Sequence, residues 1–249
     1  MGAEERDEET VTLWRPTRQN ELDLVASSGW HAWPPWRPEQ PVFYSVLDRW
    51  YATKITRESN VPREGVGYVT RFDVRKSFLD RCTVQHVGGC DVRGYGIPAE
   101  DSEDLNSNIV GAITEEADYR GSVADEEFAA AAGALGSPLP AAWCDYLRGR
   151  SWFRRGWLSS DCYVWLYTPR ETVEMDAVLR DTGADEAFPR AVVLGGDGSR
   201  ELLTVDLRHD PAPVMLVDLT TSGWQDARPQ ADDIARFIER IESGTFAYA

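Results

Sequence analysis

No stretch of this chain approaches the roughly 20 consecutive apolar residues of a membrane-spanning helix, so the sequence predicts no contact with the membrane interior. Basic residues are scarce: 26 Lys and Arg stand against 42 Asp and Glu, for a net charge of −16. The acidic excess runs through both halves, and neither carries the basic stripe that nucleic acid or an anionic membrane surface requires. Lysine is nearly missing, only Lys54 and Lys76, which reads as GC-rich coding rather than function. The four cysteines, Cys82, Cys90, Cys144 and Cys162, show no Cys-x-x-Cys spacing and no nearby histidine pair. That argues against a zinc site, and reduced thiols in the cytoplasm are the default. Cys82 and Cys90 are close enough in sequence to pair in an oxidising compartment, but nothing points to one. Of three histidines, His31 lies in a tryptophan-rich loop and His209 in a turn before Pro211, and none, His86 included, has a nucleophile beside it. They read as surface or satisfied histidines.

Apolar material is ample: 42% of residues are hydrophobic and 11% aromatic, so a packed core is expected. With 249 residues the chain makes one large domain or two of ordinary size. The opening MGAEERDEET is acidic and polar, the opposite of a secretory signal, and residues 1–10 are expected to form a disordered tail. The pattern then predicts a strand at 11–16, a helix over 20–29 capped by Asn20 and stopped by Gly29, and an irregular loop WHAWPPWRPEQP (30–41). A helix over 48–58 and strands at 66–74, 83–88 and 109–119 complete a first α+β domain, 11–120, whose strands are too widely spaced for a simple meander. Past a seam at 120–125, helices are predicted at 125–136, 141–149, 172–183 and 231–244. Strands are predicted at 162–169, 189–196, 201–207 and 214–223, giving a second α+β domain, 121–249. Trp14, Trp50, Trp143 and Trp165 read as core; Trp30, Trp33 and Trp36 either line a pocket or cover the core from a loop.

One stretch, GGDGSRELLTVDL (195–207), has the glycines of a phosphate-binding loop. Such a loop needs a lysine followed by Ser or Thr entering a helix, and here Ser199-Arg200-Glu201 leads into a β-type run. The dinucleotide fingerprint fails because no helix follows the glycines. A calcium loop fails because acids at alternating positions are missing. What remains is a hairpin, with Gly-Asp-Gly supplying the turn.

The second half resembles the SUKH superfamily, which holds a fungal cell-wall-assembly regulator and many bacterial immunity proteins. The residues that carry the resemblance are Leu135-Gly136, Leu139-Pro140, Trp143, Tyr146 and Leu147, then Phe188-Pro189, Leu194-Gly195-Gly196-Asp197-Gly198, Leu203, Val205-Asp206-Leu207, and Ala235, Phe237 and Ile238. The resemblance covers about 125–245. It implies an antiparallel sheet flanked by helices, a module that binds and neutralises a toxin or effector protein, and no catalytic machinery.

The first half, through LWRPT, SGWHAWPP, QPVFYSVLDRWYATKI, GVGYVTRFDV and IPAED, is similar to bacterial proteins labelled ADP-ribosylation/crystallin. That resemblance implies an ADP-ribosyltransferase-like fold. Such folds place an Arg or His on an early strand, an aromatic or Ser in the middle, and on a late strand a Glu that holds the ribose and stabilises the transition state. Arg15 fits the first role, and Tyr44 or Tyr68 the second, so Arg15, Tyr44 and Tyr68 are the candidate NAD-binding residues. For the third role the relatives' acid falls at Gly94. Glu100 is the nearest substitute, though Ala99-Glu100-Asp101 equally makes a helix start. The implied domain is degenerate. The combined expectation is a cytoplasmic, non-catalytic protein-binding module of the immunity type, with no cofactor and no metal, facing a toxin partner that the acidic charge makes basic. The alternative is an NAD-dependent ADP-ribosyltransferase with catalytic candidates Arg15, Tyr44 and Glu100, carrying a SUKH module. A third option is a fusion in which the first domain only positions the second.

Overall fold

The computed structural model describes residues 9–35, 41–86, 92–218, 220 and 223–249. The chain separates into two compact units, Met1–Tyr119 and Arg120–Ala249. Both are mixed α+β with antiparallel strand pairing, and each is described by itself. The expected tail is described only at Glu9 and Thr10, and Thr10 already belongs to the first strand.

The first unit opens with β1 (Thr10–Thr17) and α1 (Gln19–Ser27). The helix cap is Arg18, without a side-chain cap bond, and Asn20 lies inside the helix. A five-residue strand that the sequence pattern did not announce, β2 (Val42–Val46), precedes α2 (Arg49–Ile55). The helix expected over 48–58 is not one element. It passes through a π-turn at 56–60 into α3 (Val61–Glu64), which Gly65 ends with φ +73°. Then come β3 (Val66–Arg75), α4 (Lys76–Leu79), β4 (Val84–His86), β5 (Arg93–Pro98), α5 (Ser102–Ser107) and β6 (Ile109–Arg120). The strand order in this unit is β6-β3-β1-β2-β5-β4.

Strand alternation divides the sheet's side chains between two faces. Leu13 of β1 shares a face with Phe43 and Phe72, and that face carries the core: Val25, Trp33, Phe78, Leu79, Ile97 and Leu105 pack against it. Trp33 is the hub, with ring centroids 5.1 Å from Phe43 and 5.2 Å from Phe72. Asn106 fixes the tryptophan loop by accepting from Trp33 N at 2.9 Å and donating to its carbonyl at 3.0 Å. The opposite face meets the π-turn. A Cβ added at Gly67 would lie 2.8 Å from Thr56 Cγ2, so only glycine lets the turn approach.

The second unit runs α6 (Asp125–Leu135), α7 (Ala141–Leu147), β7 (Trp152–Ser159), β8 (Cys162–Leu166), α8 (Pro169–Thr182), α9 (Ala184–Ala187), β9 (Ala191–Gly196), β10 (Glu201–Asp206), β11 (Val214–Asp218), β12 (Arg228–Ala231) and α10 (Ile234–Glu242). Its strands lie in chain order, β7 to β12, with α8 and α9 inserted between β8 and β9. One cluster holds Leu179, Phe188, Val193, Leu202, Val217 and Trp224. Elsewhere Trp143 and Phe237 are wholly buried, on α7 and α10, which pack on one another.

Of the tryptophans assigned to the core, Trp143 is buried and Trp14 and Trp165 are partly so, but Trp50 is 58% exposed and stacks only edge-on with Tyr51. Trp33 covers the core from its loop, and Trp36 lies outside the described residues.

Candidate functional site

Arg15 is the residue to build from. It lies mid-way along β1, opposite Thr70 of β3, and its side chain is only 8% exposed. Its guanidinium carbon stands 4.0 Å from the Phe43 ring centroid and 5.6 Å from that of Trp33, a cation held over aromatic faces. One nitrogen donates to the Tyr44 carbonyl. Two more reach Glu21 of α1, Nε at 3.0 Å and Nη2 at 2.8 Å to the same carboxylate oxygen. The charge is thus neutralised locally, and three donors are engaged in joining β1, β2 and α1. This arrangement holds a core together; it does not present a free cation to a phosphate.

Tyr68 shares Arg15's face but not its neighbourhood. It is buried, packs with Leu22, Val66 and Trp30, and donates its hydroxyl to Gln19. Between the two lie Thr17 and Thr70, whose hydroxyls bond each other at 2.8 Å. Tyr44 goes the other way. Its neighbour Phe43 faces Arg15, so alternation turns the Tyr44 ring, 48% exposed, to the opposite side of the sheet. Arg15 meets only the backbone of Tyr44, and the two side chains do not line one pocket.

The position at which the resemblance leads one to expect an acid is closed as well. Gly94 pairs with Val46, which pairs with Trp14, so it too points away from Arg15. A Cβ built there would stand 2.5 Å from the Ser45 carbonyl oxygen, a backbone contact that cannot give. Glu100 occupies a short 3₁₀ turn (Ala99–Asp101) leading into α5 and is exposed, in keeping with the helix-start reading. Of Arg15, Tyr44, Tyr68 and Glu100, the first two are joined by the bond from Arg15 to the Tyr44 carbonyl.

Two members of the Arg15 environment escaped the sequence reading. Glu21 is one; its signal was an acid one helical turn into α1, six residues from the arginine. Ser45 is the other, on Arg15's face and 1% exposed, with a hydroxyl that has no hydrogen-bond partner among the described residues. Its short strand was not recognised, so its direction could not be read.

In the second unit the glycine stretch forms the expected hairpin. Leu202 pairs with Gly196, and the Asp197 carboxylate accepts from Ser199 N at 2.8 Å and Glu201 N at 3.1 Å. Gly198 has φ +78°, and Gly195 brings β9 against β8 so closely that a Cβ would stand 2.1 Å from the Trp165 carbonyl oxygen. Several other residues behind the SUKH resemblance make structural contacts. Gly136 ends α6 with φ +72°, Tyr146 donates to Glu242 at 2.6 Å and accepts from Phe153 N at 3.0 Å, and Phe188 meets Trp224 edge-on. Asp206 is buried and gripped by Arg208 through Nε at 2.8 Å and Nη2 at 2.7 Å. Those bonds hold its carboxyl below the usual carboxylate range.

No family model matches the chain, and no curated protein does.

The remaining chemistry is quiet. Burial pushes the thiols of Cys82, Cys144 and Cys162 up, which keeps them protonated and weakly nucleophilic near neutral pH. Cys90 lies outside the described residues, so a Cys82–Cys90 pair does too. His31 contacts the Gly111 carbonyl at 3.2 Å, and His209 stands 3.5 Å from Asp206. Among the described residues no three His, Cys, Asp or Glu side chains gather where a metal ion would need them, and no helix is long and apolar enough to cross a membrane.

Proposed function

We propose that this protein is a non-catalytic binding module of the bacterial immunity type, which neutralises or regulates a toxin or effector protein in the cytoplasm. The observation that carries the reading is Arg15: its charge is paired with Glu21 and stacked on Phe43, so the cation among the candidate NAD-binding residues is committed to the core. The closed position at Gly94 supports it further, because a transferase without its acid loses the group that stabilises the transition state. The first unit is then a transferase-like domain that has lost its chemistry, and the second a SUKH-type domain that carries the interaction. With a net charge of −16, a basic partner suits the chain, since opposite charge accelerates encounter.

Co-expression with a secreted toxin domain encoded beside this protein's gene tests the reading. A stoichiometric complex and rescued growth are expected, retained by residues 120–249 within the full chain when Arg15→Ala is introduced. A neighbouring toxin that neither binds nor is neutralised would overturn it.

A further inference from the structure

We draw no further inference here: the strongest candidate, the exposed aromatic side chains of Tyr44 on β2 and Trp50 on α2 at the surface of the first unit, carries nothing because nothing in the structure shows what covers them.

Discussion

Single glycines and one aspartate show how much of this structure is decided at individual positions. Gly195 and Gly136 look alike in sequence but differ in what an added methyl would meet. At 195 the Cβ would collide with the Trp165 carbonyl, backbone against backbone, whereas at 136 nothing lies within 4 Å and only the φ of +72° resists. Gly195→Ala is therefore expected to cost about 1–3 kcal/mol or more by overpacking, and Gly136→Ala about 1 kcal/mol from its left-handed backbone. Urea unfolding of the two variants checks the order; equal losses would show that β8 and β9 can separate without penalty. Asp206 yields a pH prediction. Hydrogen bonds from Arg208 depress its folded pKa, so the stabilisation is present above about pH 4, the unfolded value, and is lost as pH falls through the depressed value. The stability gap between the parent and Asp206→Asn should narrow on acidification below about pH 4. A gap independent of pH in that window would mean the carboxylate's charge is not what Arg208 holds.

Elements differ in how openly the sequence declares them. α8 carries the marks of a helix start, although the sequence reading ran the preceding strand to 169 and began the helix at 172: Thr168 accepts from Glu171 N at 3.3 Å, Glu171 accepts from Thr168 N at 2.8 Å, and Pro169 follows the cap. Thr168→Ala should cost about 1 kcal/mol, and Glu171→Ala more, since that carboxylate also pairs with the largely buried Arg154; thermal melts of both report the difference. α10 is equally plain, with Asp233 accepting from Arg236 N at 2.7 Å and Ile234, Phe237 and Ile241 on its buried face. By contrast, β2 and β7 gave no signal. Phe43, Ser45 and Val46 are all buried, and in β7 a buried Trp152-Phe153 pair precedes two arginines, so neither strand alternates apolar with polar residues. The π-turn at 56–60 was hidden because Ile55 through Val61 continue a helical register with no Gly or Pro to mark the change. The candidate site suffered from the same blindness. Without β2 the direction of Tyr44 could not be read, and an exposed ring on the far face was placed beside Arg15. The hairpin at 197–200, on the other hand, was legible because its turn chemistry is local.

At the scale of the whole molecule, two α+β units carry a strong acidic charge, and of the residues that first suggest enzymology Arg15 and Tyr68 are packed into the first unit. Arg15 links β1, β2 and α1 through Glu21 and the Tyr44 carbonyl, and Gly94 leaves no space for an acid. The proposed protein-binding role requires that the first unit carry no transferase chemistry. Titration of the full chain with NAD, followed by an assay for nicotinamide release and transfer of labelled ADP-ribose, probes it most directly. No saturable binding and no turnover are predicted, for the parent and for Glu100→Ala alike. Saturable NAD binding or turnover that disappears in a folded Arg15→Ala variant would contradict it.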